Sequence, residues 1–331
     1  MNKLAVKSID NVLTTEYRNP APKLRKSFFH NIWKQRYLQI MAIPGIVFLL
    51  IFNYIPMYGI LIAFKEYSVI KGVLGSPWVG LRYFIEFFKS DMLFILLRNT
   101  LGLSILNLIL GFPVPIIFAL LLNELTNRYY KKFVQTVSYL PHFISWVIVG
   151  GIFLRWLSVE GLINEVAVRI GILPQPQNFM MEPLYAWMIL ILTNIWKSFG
   201  WGSIIFLAAI SCIDQEMYEA AYIDGAGRFK RMWYITIPSI LPTVVILFIL
   251  NVSTILNCNF EQILVMRNSA IRDYTDVIDI YTYDIGIGLG RYSYASAVGL
   301  SKAIVSLILL FTSNFVSLKF VGTGLFRGGE K

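Results

Sequence analysis

Residues Glu219–Pro242 read EAAYIDGAGRFKRMWYITIPSILP. The segment begins polar and glycine-hinged, turns basic, and ends apolar with two prolines. DQEMYEAAYI, Asp214–Ile223, is a good helix former: acids near its start favour the helix dipole, and Ala220 and Ala221 are small. Asp224 followed by Gly225 is a turn signal, with Asp224 placed to cap the next helix. RFKRMWYIT predicts a second short, basic helix. Pro238 suits the first turn of the apolar helix after it, where its missing N–H costs little. The small residues Ala220, Ala221, Gly225 and Ala226 let another backbone come close. Connections in helix bundles usually run roughly 2–8 residues; a plain connection needs none of this design, so the segment reads as a docking element.

The rest of the chain is written for lipid. Of 331 residues, 56% are hydrophobic and 15% charged, with a mean hydropathy of +0.63. A soluble domain of this length must wet its surface and does not reach such values. Uncharged runs cover Tyr37–Phe64, Asn99–Asn123, Phe133–Leu154 and Met232–Phe260. Pro183–Ile213 and Tyr292–Leu318 qualify if Lys197 and Lys302 are tolerated, either near an interface or snorkelling to it. Each run can cross a hydrocarbon core, which takes about 20 residues. The expectation is an all-α integral membrane protein with six transmembrane helices. The first run is too long for a signal-peptide core and reads as an uncleaved span.

Charge sets the orientation. Seventeen Lys and Arg fall in 1–37, in 128–132, in 228–231 and in the tail, against eight in the opposite loops. Basic loops stay in the cytoplasm, which places both termini inside. Three regions result: a cytoplasmic segment 1–37, a six-helix domain 38–317 with the cytoplasmic loop 211–242, and a cytoplasmic tail 318–331. Residues 1–23 read as disordered. Residues 24–37 mix bases with aromatics, as does a helix lying on the inner membrane surface or a plain positive flank. Outside, SPWVGLRYFIEFF predicts a short amphipathic helix, GILPQPQ a turn-rich stretch, and 266–291 an acidic, tyrosine-bearing loop. The net charge of +10 forms no single patch, which speaks against nucleic acid.

Catalytic parts are scarce. The two histidines, His30 and His142, lie far apart, and HExxH, GxSxG and CxxC are absent. Cys212 and Cys258 suggest neither a disulfide framework nor a metal site. GIGLG lacks the strand and helix that a dinucleotide site needs, and the tail has no GK[ST]. This inventory points to a conduit, not an enzyme.

The segment Glu219-Ala220-Ala221, Asp224-Gly225-Ala226, Ile235 and Pro238 resembles the EAA signature of ABC importer permeases, with Met232 where an aromatic is common and Ile237 where leucine is common. WVGLRYFIEFF, LRNTLGLSI, LPHFISWVIVGGIF, IWKSFGWGSIIFLAAI and YASAVGLSKAIVSLILL are similar to the binding-protein-dependent oligosaccharide and polysaccharide branch, over about residues 35–325. The resemblance implies a type I ABC importer permease fold and a second permease subunit, making a heterodimer. It also implies two cytoplasmic ATPase subunits that carry the ATP and Mg, and an extracytoplasmic substrate-binding protein. No cofactor is implied in this chain. Glu219 would meet basic groups of the ATPase, Gly225 would supply the turn, and the alanines the close packing.

Polar residues within the spans mark a candidate path. Asn251, Thr254, Cys258 and Glu261 fall at steps of 3, 4 and 3 on the fifth span, with Asn257 four before Glu261. The fourth span offers Asn194, Lys197 and Trp201, and the third His142 and Ser145. These could line a hydrophilic path or hydrogen-bond between helices without touching cargo. Tyr281, Tyr283, Tyr292 and Tyr294 suit sugar stacking or the membrane interface. Two other readings remain at this level: an ABC permease for an amino acid, peptide or ion, and an ion-driven carrier or membrane enzyme.

Overall fold

The computed structural model describes residues 36–322 and 324–326. The expectations for 1–23, for most of 24–37 and for most of the tail lie outside them. Among the described residues the chain is helical, without strands; one antiparallel bridge joins Lys65 and Trp78. Two compact units divide at Gly59.

The first unit contributes α1, Arg36–Leu49, whose apolar residues Ile40, Met41, Ile43, Ile46, Phe48 and Leu49 are exposed. A helix of this kind suits lipid or a partner helix. It widens over Leu50–Tyr54 and tightens from Ile55. Pro56 has no N–H to give and its ring crowds the carbonyl four residues back, which accounts for the irregularity.

The second unit holds the rest. After the helix α2, Arg82–Phe88, come α3, Met92–Gly111, and α4, Pro113–Asn123, which continue one another as a single span. α2 is the short helix expected in the loop after the first span. Then come α5, Arg128–Tyr139, α6, Trp146–Trp156, and α7, Pro183–Ser211. The loop side adds α8, Gln215–Ile223, and α9, Arg228–Arg231. α10 is Ile237–Ser253, α11 Phe260–Met266, α12 Ile278–Tyr283 and α13 Tyr292–Phe320.

Five spans are continuous and apolar enough to cross a membrane. The third is not one rod. α5 and α6 meet at 97°, and counted as one bent span they bring the number from five to six. Pro141 cannot continue α5, and Ile144 and Ser145 are extended, so the chain turns before Trp146. Asn127 starts α5 by accepting from the amides of Tyr129 and Tyr130. The sequence pattern also predicts a basic helix separate from the fifth span. Instead α9 runs through a widened turn, Met232–Thr236, into α10 as one helix, Arg228–Ser253. As at Pro56, the widened turn lies just before a proline, here Pro238, whose ring presses on the preceding turn.

α7 is the central post. Its 29 residues reach about 43 Å. At one end Trp187 Nε1 donates to the Tyr274 carbonyl at 2.6 Å; at the other Ser211 leads into α8. Leu190 and Ile191 pack with Trp146, Val149, Ile263 and Met266, while Phe206 and Ile210 pack with Leu120 and Ile240. Gly200 lies against the Ser138 backbone with no room for a Cβ, the close approach that small residues allow between membrane helices.

Candidate functional site

The loop 211–242 is built by local hydrogen bonds. Asp214 caps α8 by accepting from the Glu216 amide at 3.0 Å. The far end closes as a Schellman turn: Ala226 N–H donates to Ala221 O at 2.9 Å and Gly225 N–H to Tyr222 O at 3.0 Å. Gly225 takes φ +74°, with open space where a Cβ would sit, so only its backbone angle demands glycine. Asp224 therefore ends α8 and does not cap the next helix. Gly227 holds that position, because the Schellman turn consumes Asp224–Ala226. Tyr218 Oη and Thr236 Oγ1, 2.8 Å apart, tie α8 to the following helix.

Glu219 and Ala220 face outward, whereas Ala221 and Ala226 are half-buried. Glu219 forms no ion pair among the described residues. Around it, Tyr222, Ile223 and Phe229 are 72%, 84% and 79% exposed. The polar handle thus carries an apolar cap.

A second feature lies between α3, α7 and α10. Ser104, Asn107, Asn194, Ser198, Asn251, Thr254 and Asn257 line a cleft of about 340 Å³. Its floor is an amide chain. Asn194 Nδ2 donates to Asn107 Oδ1 at 3.0 Å, and Asn259 Nδ2 donates to Asn194 Oδ1 at 3.1 Å. Gln262 Nε2 extends the polar layer by donating to Leu190 O and Thr193 Oγ1 at 2.7 and 2.8 Å. Amides and hydroxyls without net charge suit a ligand rich in hydroxyls.

The structure brings four of the sequence candidates together here: Asn194, Asn251, Thr254 and Asn257. It separates the others. The fifth span does not carry Asn251, Thr254, Cys258 and Glu261 on one helical face, because α10 ends at Ser253. Ser253 and Thr254 donate back to the Leu250 carbonyl, Asn259 caps α11 through the Gln262 amide, and the intervening chain is non-helical. Glu261 is exposed and away from the cleft, and Cys258 Sγ lies 3.4 Å from Ser104 Oγ. His142 and Trp201 stack on each other, centroids 4.7 Å apart and planes 3° apart. Lys197 Nζ donates to the His142 carbonyl at 2.8 Å and lies over the Trp146 ring, so it does not snorkel. This cluster holds the bend between α5 and α6 against α7. Ser145 is exposed at the start of α6.

Sequence reasoning missed Ser104, Asn107, Ser198 and Asn259. Thr100, Ser104 and Asn107 fall at steps of 4 and 3 in an apolar run, which is a readable stripe. Nothing local marked the pairing of Lys302 with Asp279.

The acidic loop 266–291 is clamped, not free. Arg267 grips Asp284 with two nitrogens at 2.7 and 2.9 Å, which holds the Asp284 carboxyl below the usual carboxylate range. Arg272 bonds Asp276 at 2.9 Å and Arg291 bonds Glu86 at 2.5 Å. Arg98 and Asn99 donate to the Asp273 carbonyl. Tyr281 and Tyr294 meet hydroxyl to hydroxyl at 3.1 Å, with Tyr294 buried in the core.

Residues 111–320 match the family model described as binding-protein-dependent transport system inner membrane component. The chain belongs to this family. The permease is 46% identical over 294 residues to Protein LplB of Bacillus subtilis (strain 168), covering 88% of this chain and 92% of that protein. It is 44% identical over 303 residues to the polygalacturonan/rhamnogalacturonan transport system permease protein YteP of the same organism, covering 91% and 94%. Among solved structures, it matches a bacterial alginate ABC transporter in complex with an alginate pentasaccharide-bound periplasmic protein. There the TM-score is 0.81 at 37% identity over 90% of this chain and 99% of the other. A second match is a bacterial ABC transporter that imports the acidic polysaccharide alginate, with TM-score 0.80 and 38% identity over 88% and 98%. The fold is that of a type I ABC importer permease, a multi-pass transport subunit of the bacterial cell membrane and not an enzyme.

Proposed function

We propose that this permease forms half of the translocation path for an oligosaccharide or polysaccharide fragment that an extracytoplasmic binding protein delivers. The observation that carries the reading is the uncharged amide and hydroxyl cleft on the central post α7, whose C-terminal end leads into the exposed handle α8. The sugar and polysaccharide relatives support the cargo class.

In this reading both termini are cytoplasmic, 38–317 is the membrane domain, and 211–242 is its coupling loop. The path is completed by a second permease chain. Two cytoplasmic ATPases, which hold the ATP and Mg, dock on α8 and on its counterpart in the second permease. The apolar cap of Tyr222, Ile223 and Phe229 enters a cleft of the ATPase, with Glu219 meeting a basic group there. Ala220, Ala221, Asp224, Gly225, Ala226 and Pro238 fix the shape of the handle. Closure of the ATPases pulls α8. The pull passes through the Tyr218–Thr236 contact and the continuous helix Arg228–Ser253 to Asn251 and Thr254 in the cleft, which alternates between inward-open and outward-open states. The stacked His142 and Trp201, held by Lys197, brace the bend beside that path.

The test is uptake of labelled oligosaccharides into proteoliposomes carrying the whole importer, with ATP on the ATPase side and binding protein on the other. Accumulation requiring both is expected. Accumulation driven by an ion gradient without ATP overturns the reading.

A further inference from the structure

The two lysines within the spans are held differently. Lys197 is buried and committed to a backbone carbonyl. Lys302 lies ten residues into α13, about 15 Å from its start, and forms an ion pair with Asp279 of α12. A charge at this depth is costly unless it is partnered or functional. The pair is not sealed away: the lysine and aspartate side chains are 12% and 25% exposed. Together they form one wall of a cavity of about 500 Å³, whose other polar groups include Ser253, Asn257 and Ser306. Asn257 also lines the central cleft, so the two cavities share a wall residue.

The contact differs in kind from the arginine clamps at the end of the bundle. Arg267 holds Asp284 with a planar fork through two bonds, whereas Lys302 meets a single carboxylate oxygen. An ammonium is a point charge with three rotatable donors and no preferred fork. A second carboxylate can take the place of Asp279 and keep the ammonium paired, the displaced carboxylate passing to the water of the cavity. A hydroxyl cannot, because it would leave both the ammonium and Asp279 uncompensated.

We propose that Lys302 is the carboxylate-binding residue of the path, and that the cargo is an acidic, uronate-bearing saccharide. Asp279 holds the ammonium between transport events. An arriving uronate carboxylate takes its place, and Asn257, Ser253 and Ser306 meet the adjacent sugar hydroxyls. Asp279 turns to the water of the cavity until the cargo leaves. This rests on the saccharide-importer reading and narrows its cargo.

The test uses the whole importer in proteoliposomes with two probes: labelled trigalacturonate and its fully methyl-esterified, uncharged form. Wild type is expected to take up trigalacturonate in an ATP-dependent way. Lys302→Gln should lower that uptake at least tenfold more than it lowers ester uptake. Lys302→Arg should retain most of it, and Asp279→Asn should lower the apparent KM for the acid by removing the competitor. If Lys302→Gln does not assemble, the Lys302→Gln/Asp279→Asn double variant, which leaves no unpaired charge, is read in the same way. Equal losses for both probes overturn the proposal and make the pair a latch between α12 and α13. ATP-driven uptake of the ester without uptake of the acid by wild type also overturns it, while leaving the importer reading intact. ATP-independent behaviour of both probes overturns the importer reading itself.

Discussion

The amide of Ala226 donates to the carbonyl of Ala221 at 2.9 Å, and the residue between this bond and the end of α8, Gly225, sits at φ +74°. This single closure aims the chain from the handle back toward the membrane. Its cost to any other residue is conformational, because no neighbouring atom lies within 4 Å of the position of a Cβ. Gly225→Ala is expected to destabilise the permease by about 1 kcal/mol, the penalty of a left-handed alanine. Gly225→Pro, which cannot reach φ +74°, is expected to abolish the turn. Thermal unfolding of the purified chain in detergent checks the first. Proteolytic sensitivity between α8 and α9 checks the second.

Asp214 caps α8 through the Glu216 amide. Replacement by alanine is expected to cost about 1 kcal/mol, and replacement by serine or asparagine to restore most of it. The checks are unfolding temperature and ATPase co-purification. An Asp214→Ala chain that melts and co-purifies as wild type would show that α8 does not depend on its cap.

The amide chain and the cleft wall separate by substitution. Asn194→Leu removes two interhelical hydrogen bonds, to Asn107 and from Asn259, and should cost about 1 kcal/mol at the average of such bonds in membranes. Asn251 Nδ2 bonds only the Leu247 carbonyl of its own helix, so Asn251→Ala should lower uptake and leave the unfolding temperature unchanged. Paired measurements of uptake and melting on both variants test the distinction.

The Arg267–Asp284 clamp gives the loop 266–291 a pH dependence of known sign. The folded value of Asp284 is depressed, chiefly by its hydrogen bonds to Arg267. Its contribution is therefore fully present above the ordinary carboxylate range near pH 4 and is lost as pH falls through the lowered value. Wild type should melt higher than Asp284→Asn at about pH 7, and the two curves should converge as pH falls below about 4. A constant gap down to about pH 3 would show that the ionised clamp contributes nothing.

The spans were legible because lipid forbids charges over long runs, and the handle because its caps and turn are bonds between residues close in sequence. Sequence could also place Asn194, Asn251, Thr254 and Asn257 in polar stripes. It could not foresee that α10 would end at Ser253 and the chain stay non-helical until Asn259 caps α11. A helical period was therefore extended across a break, and Glu261 was drawn into a face that does not exist. Pro141 announced the bend at 97° only in retrospect, since Pro44 and Pro242 lie within helices that continue. The partner of Lys302, 23 residues away in α12, is set by packing, which no local pattern records.

The central claim is that α8 transmits ATP-driven closure to the cleft. It is tested most directly by ATP-coupled saccharide uptake together with ATPase co-purification, measured for Gly225→Pro and Glu219→Lys in the whole importer. The account predicts that both variants reach the membrane, that each loses ATPase association or ATP-coupled uptake, and that their unfolding in detergent falls by far less than the loss of transport. Assembly and uptake at wild-type levels in both variants would contradict it.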